Sequence, residues 1–324
     1  MKDHILSVKE KIGYGMGDAA SHIIFDNVML YMMFFYTDIF GIPAGYVGTM
    51  FLLARALDAI SDPCMGLLAD RTRSRWGKFR PWILFGAIPF GLVCVLAYSS
   101  PDLSHNGKLI YAAVTYTLLT LLYTVVNIPY CALGGVITRD EKDRLSAQSY
   151  RFTISSLASL MVSVATLFLV DFLGKENKQF GFQATMGIMG AIAIVMLAFC
   201  FFSTKERVAP AVEQQGSIRE DLRQLLANDQ WRIVAIITFF SSMAGVMRSA
   251  ATLYYATYLM LGGVESAAGT AMKSAFVSTS VVGTIIGSIA AGWLAKRYRA
   301  VSLFKNINLL LVLVGVVMFF VPPT

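Results

Sequence analysis

Nine apolar runs divide this chain, at roughly 14–40, 45–69, 80–99, 109–134, 149–172, 183–203, 231–261, 269–295 and 302–322. A run of about 17 to 25 such residues crosses the hydrocarbon core of a bilayer as one helix. In lipid an open chain has no other way to satisfy its backbone N–H and C=O groups internally. The pattern therefore predicts an all-α membrane protein. Composition agrees: 56% of the residues are hydrophobic and 15% are charged, against about 25% charged in a soluble globular chain. The first and seventh runs exceed the span, so they are expected to tilt or to project from the membrane.

The basic residues fix an orientation. Of 27 Lys and Arg, 21 lie before the first run or after the second, fourth, sixth and eighth. Lys108, Lys175 and Lys178 lie on the other side, and Arg55, Arg248 and Lys273 fall within or at the edge of runs. The positive-inside rule then places the amino terminus in the cytoplasm. The net charge of +7 is thereby a matter of topology, and no nucleic-acid partner is implied. "MKDHILSVKEKIGYG" is polar and the run after it is too long for a signal core, so no cleavable signal peptide is expected. Cys64, Cys94, Cys131 and Cys200 are scattered through apolar runs without metal-ligand spacing. They read as small hydrophobes, and no zinc site, redox pair or cofactor is expected.

Segment 204–230 is the one long polar interval. In it Ser217 and Glu220 have capping-box spacing, and Ile218, Leu222, Leu225 and Leu226 form an apolar stripe, which predicts a short amphipathic helix on the cytoplasmic surface. The organisation is then a six-helix bundle over 1–203, a linker over 204–230 and a second bundle over 231–324. "GLLADR" at 66–71 and "GWLAKR" at 292–297 close the second helix of each half, a weak repeat of the kind transporters are built from. The second half holds three runs where the first holds six. The chain is accordingly read as a fragment.

Charges inside the runs mark the chemistry. A charge at bilayer depth costs from roughly 2.5 to more than 10 kcal/mol, so such a residue is a site hypothesis by default. Arg55, Asp58 and Asp62 share one helix face by their spacings of three and four. Counting from Tyr46 at about 1.5 Å per residue, Asp58 lies roughly 18 Å deep. Two carboxylates one turn apart supply oxygen ligands for a hard cation, or one of them holds a proton. Pro63 and Pro129 each free a helix carbonyl near this level, for an ion or for a bend. Asp18, His22 and Asp26 recur every four residues on the first run and share a face. His22 and Asp26 are assigned to the substrate path and Asp18, near the cytoplasmic end, to structure. Arg151, Asn127 and Tyr123, with Tyr31 and Tyr116 as further surfaces, offer paired donors, acceptors and a flat face to a polar ligand. Arg248 is a lone intramembrane cation in the second half, suited to pairing across a gate. No nucleophile with a base, phosphate loop or metal cluster is visible, so an enzyme is not expected.

The stretch "RALDAISDPCMGLLADRTRSRWGKFRPW" at 55–82, with "YGMGD", "YTDIFG", "YTVVNIPYCAL" and "SYRF", resembles the glycoside–pentoside–hexuronide:cation symporters. These are the melibiose permease-like branch of the major facilitator superfamily. The resemblance implies a twelve-helix fold, of which nine helices are present as six plus three, and secondary active symport of a sugar with H+ or Na+ by alternating access. It implies a cation site at Asp58, Ser61, Asp62 and Thr124, with Na+ as the one metal ion to be considered, and a sugar site at His22, Asn127, Arg151, Tyr123 and Cys131. The family's sugar clamp has carboxylates where His22 and Asn127 stand and a Trp where Cys131 stands. Asp70 and Arg71 resemble the superfamily's gate motif after the second helix. Of the two coupling ions H+ is favoured, because Ser61 and Asn127 weaken a sodium cage. The partners implied are a small sugar and membrane lipid, with a monomer as the working unit. The rival readings are a carrier of a lipid-like substrate on the same fold and a membrane receptor that does not transport.

Overall fold

The computed structural model describes residues 6–208 and 218–254, and from there positions 279, 282–283, 286–287, 289–291, 293–294 and 297–319. Among the described residues every regular element is helical. They are α1 (Val8–Asn27), α2 (Ala44–Arg71), α3 (Arg80–Ala97), α4 (His105–Val136), α5 (Glu141–Gly174), α6 (Lys178–Ser203), α7 (Ile218–Ala227), α8 (Asp229–Tyr254) and α9 (Ala300–Phe319). Four of them, α3 to α6, are long and apolar enough to cross a membrane. The charges on α2 leave it outside that set. Ser217 of the expected capping box, Lys273, most of the run at 269–295 and the end of the seventh run lie outside the described residues.

The chain divides into two compact units. One comprises Met1–Ala209 with Thr284–Tyr298, the other Pro210–Gly283 with Arg299–Thr324. In the first unit α1 packs on α5 and α6, α3 packs on α4 and α6, and α2 packs on α4. Small residues permit the close approaches. The backbones of α3 and α6 meet at Gly91 and Gly190, where a Cβ on Gly190 would stand 3.0 Å from the Gly91 carbonyl oxygen. Membrane helices associate through such small-residue contacts, since lipid supplies no hydrophobic drive.

The helix starts are chemically defined. Ser7 and Glu10 form a capping box on α1, with the Glu10 N–H donating to Ser7 Oγ at 3.3 Å and the Ser7 N–H to Glu10 Oε2 at 3.0 Å. Asp140 caps α5 by accepting from the Asp143 N–H at 2.7 Å. That cap, with Glu141 and Asp143 in the first turn, starts α5 well before the apolar run that marks it in the sequence, since negative charge favours a helix N-terminus. The first run differs more. Beyond Asn27 the helix widens into π-helical turns at Val28–Met32 and Phe35–Ile39, which carry its excess length. The Asn27 carbonyl there accepts from the Tyr98 hydroxyl at 2.8 Å.

The segment after α6 ties the basic ends of the unit together. Glu206 accepts the backbone N–H groups of Lys78, Phe79 and Arg80 at 2.8, 2.8 and 3.0 Å, so its carboxylate sits on the N-terminus of α3. Gly77, at φ +109°, leaves room for it. Arg207 pairs with Glu10, and the Arg207 and Val208 N–H groups both donate to the Val136 carbonyl, at 2.9 and 3.0 Å. Lys and Arg in such segments are read from sequence as topological charge. Here Arg207 also joins α1 to α4.

Candidate cation and substrate sites

Two polar clusters lie inside the first unit, one between α2 and α4 and one between α1 and α5.

The first holds the expected cation residues. Thr124 Oγ1 donates to Asp62 Oδ1 at 2.8 Å, joining α4 to α2, and Thr124 is buried. Asp58 lies one turn before Asp62. Its Oδ2 is 3.2 Å from Arg55 Nη1, and its Oδ1 is buried without a hydrogen-bond partner. A buried carboxylate oxygen left unpaired is costly. Beside it is a cavity of about 20 Å³ lined by Arg55, Asp58, Thr120 and Tyr123 with apolar side chains from α1, α3 and α4. That volume admits one water-sized occupant. Ser61 is turned away, its hydroxyl directed at the Asp58 carbonyl at 3.5 Å. The set thus offers two carboxylates and a hydroxyl, oxygen donors that suit a hard cation or a proton. Among the described residues no three His, Cys, Asp or Glu side chains are grouped as metal ligands.

The second cluster joins residues that the sequence assigns to different roles. Arg151 on α5 meets Asp18 on α1, with Nε 3.0 Å from Asp18 Oδ2. The contact is too bent for a hydrogen bond, and the Nε–H has no other partner. Arg151 Nη1 donates to Gln148 Oε1 at 3.3 Å, and the guanidinium lies over the rings of Tyr130 and Phe152, 5.5 and 5.3 Å from their centroids. His22 stands between the two acids of its own helix. Its Nδ1 is 3.3 Å from both Asp26 oxygens, and its Nε2 is 3.9 Å from Asp18 Oδ2. Ser159 on α5 closes the far side, donating to Asp26 Oδ2 and approaching His22 Nδ1 at 3.4 Å.

This arrangement differs from the expected one in three places. Asp18, assigned to structure, is the buried acid that pairs with Arg151. Ser159 is not singled out by the sequence reading, although Arg151, Ser155, Ser159 and Ser163 recur every four residues and so share a face of α5. Asn127 and Tyr123 contact side chains outside the cluster. Asn127 Oδ1 accepts weakly from Cys131 at 3.9 Å. Tyr123 stacks on Phe25 with centroids 5.0 Å apart and lines the cavity beside Asp58. Of the residues assigned to a gate, Arg55 is held by Asp58 on its own helix. Asp70 and Arg71 lie exposed at the end of α2, and the Arg248 side chain lies outside the described residues.

Residues 13–324 match the family described as MFS/sugar transport protein. The chain is 62% identical over 322 residues to the inner membrane symporter YicJ of Escherichia coli (strain K12), covering 99% of this chain and 68% of that protein. It is 34% identical to the isoprimeverose transporter of Lactiplantibacillus pentosus, over 89% of this chain and 59% of the relative. It is 31% identical to the glucuronide carrier protein homolog of Escherichia coli (strain K12), over 79% of this chain and 56% of the relative.

Proposed function

The chain belongs to the MFS/sugar transport protein family, and from that premise we propose that it carries a sugar across the bacterial inner membrane in symport with a cation. It is an integral membrane transporter and not an enzyme, and it uses a coupling ion in place of any cofactor. The observation that carries the reading is the Thr124–Asp62 bond beside the unpaired Asp58 oxygen. It sets oxygen ligands from two helices side by side in otherwise apolar segments, where charge is retained for function. Asp58, Asp62 and Thr124 hold the ion, with Ser61 at the margin. Arg151, His22 and Asp26 face the sugar from α1 and α5, and Tyr123 and Asn127 line its path from α4. Arg55, Asp70, Arg71 and Arg248 serve the conformational change. The proposed organisation is six spanning helices in 1–203, a linker at 204–230 and three helices in 231–324, of twelve in the fold. The amino terminus is cytoplasmic, and a monomer works in contact with lipid.

The coupling ion is a proton on this reading, since the Ser61 hydroxyl is directed at a backbone carbonyl and the remaining ligands are few. The nearness of Thr124 Oγ1 to Asp62 Oδ1 favours the second reading, Na+, which needs several oxygens at once. Relatives named for isoprimeverose and for glucuronides support glycosides as the substrate class. Uptake of labelled glycosides, pentosides and hexuronides into vesicles containing the full-length protein tests this. Accumulation of at least one sugar under an ion gradient is expected. Flux of lipid-like substrates alone would overturn it.

A further inference from the structure

The cluster between α1 and α5 contains more than a sugar needs. His22 is the one side chain there that changes charge near neutral pH without perturbation, and its two ring nitrogens face different acids. Nδ1 lies against both oxygens of Asp26. In the neutral ring this nitrogen carries the hydrogen and donates to Asp26, whose charge Ser159 also stabilises. Nε2 is then the free base. It points at Asp18 Oδ2, 3.9 Å away, so a lone pair faces an anionic oxygen. A proton on Nε2 turns that repulsion into an ion pair.

The same oxygen, Asp18 Oδ2, is the one that Arg151 meets at 3.0 Å. Arg151 spends no well-aligned Nε hydrogen bond in that contact. Two cations therefore compete for one carboxylate oxygen once His22 is protonated. The groups facing His22 from its neighbours are few. Arg151 from α5 acts on His22 itself, and Tyr123, Tyr130 and Cys131 from α4 and Cys200 from α6 act on its partner Asp18. His22 and Arg151 both lie against Asp18 Oδ2, so the electrostatic contest is between these two for that oxygen.

Resting on the reading that Arg151 binds the sugar, we infer that Asp18, His22, Asp26 and Ser159 form a proton-binding site distinct from the Asp58–Asp62 site, and that a proton on His22 Nε2 releases Arg151 from Asp18 to engage substrate. Substrate and proton then bind with positive linkage, and linkage is reciprocal. Sugar binding draws a proton onto His22, and affinity falls as pH rises through the range where that proton is lost. One linked proton limits the fall to about tenfold per pH unit.

The test is equilibrium binding of isoprimeverose and of 4-nitrophenyl glucuronide to the purified full-length protein, from pH 5.5 to 8.5 at constant high sodium. Proton uptake on sugar addition is read in weak buffer. The wild type is expected to lose affinity by about three- to tenfold per pH unit across part of the range, and to take up as much as one proton per sugar. His22→Gln in an Asp62→Asn background, where the ion site no longer titrates, should bind with an affinity flat in pH and with no proton uptake. Asp62→Asn removes any proton bound at the ion site, and the slope and uptake that remain in it are those of His22. A slope that persists in His22→Gln and vanishes in Asp62→Asn would overturn the inference while leaving sugar binding at Arg151 intact. If the wild type binds neither sugar, the premise fails and the inference fails with it. If Arg151→Lys retains binding but loses the slope, the contest for Asp18 is supported directly, since Lys cannot reproduce the Nε contact.

Discussion

Replacing Glu206 with Ala should destabilise the first unit by removing the anion that caps α3. The wild-type carboxylate accepts three backbone N–H groups at 2.8 to 3.0 Å. A side-chain cap of one or two such donors is worth about 0.5–2 kcal/mol, and a negative charge at a helix N-terminus adds about 0.3–1 kcal/mol. Glu206 is half-buried, so water recovers part of the loss, and a net cost of about 2 kcal/mol results. For a unit of about 200 residues this corresponds to a fall in Tm of roughly 4–8 °C. Glu206→Gln keeps an acceptor without the charge and should lose about half as much. Gly77→Ala attacks the same contact from the other side. Its Cβ would stand 2.4 Å from Glu206 Cδ, at a φ of +109°, a conformation that costs an L-residue about 1–3 kcal/mol even without the clash. The clash disappears when residue 206 is Ala, so the double variant should lose less than the sum of the single losses. Thermal unfolding of the wild type and the four variants in detergent measures this. A Glu206→Ala protein melting within 1 °C of wild type, or strict additivity with Gly77→Ala, would refute the reasoning.

The remaining predictions concern other contacts of the same unit. Burial pushes the Glu10 carboxyl up, but the Arg207 and Ser7 bonds outweigh it and hold it below its ordinary value of 4.5. The stability it contributes is therefore complete above that value and is lost as pH falls through the lower folded-state value. Wild type should lose Tm faster than Glu10→Gln as the pH drops below about 4.5, and parallel curves would contradict it. Thr166→Val should cost about 1–2 kcal/mol, because Thr166 Oγ1 bonds Asn27 Oδ1 at 2.9 Å with both residues fully buried. A neutral result in chemical unfolding would show that the pair is not needed. Arg151→Ala should abolish measurable sugar binding by titration calorimetry while leaving a single cooperative melt, and wild-type affinity would remove Arg151 from the site.

The two clusters were legible in the sequence to different degrees, for physical reasons. Asp58 and Asp62 stand out because a charge in an apolar run has a large cost, and their spacing alone places them on one face. Thr124 carries no such signal and is reached only through resemblance, yet it donates to Asp62. The face shared by Asp18, His22 and Asp26 follows from a period of four. The partner of Arg151 does not, because it depends on how α5 is set along α1. That register brings Arg151 to Asp18. Ser159 was hidden because a serine in a membrane helix commonly bonds its own backbone. The every-fourth pattern of Arg151, Ser155, Ser159 and Ser163 was the available clue. Glu206 meets α3 across 126 to 128 residues of sequence, and no local pattern reports a contact of that range. The π-helical turns after Asn27 likewise follow from packing, since apolar periodicity does not separate them from an ordinary helix.

The central claim is that ion binding at Asp58 and Asp62 drives sugar accumulation. Asp62→Asn in the full-length protein tests it most directly, measured as concentrative uptake under imposed pH and sodium gradients and as sugar-for-sugar exchange without a gradient. The Asn keeps shape and hydrogen bonding to Thr124 while removing the negative charge. Exchange should therefore continue while accumulation is lost under both gradients. An Asp62→Asn protein that still concentrates sugar against its gradient would contradict the account.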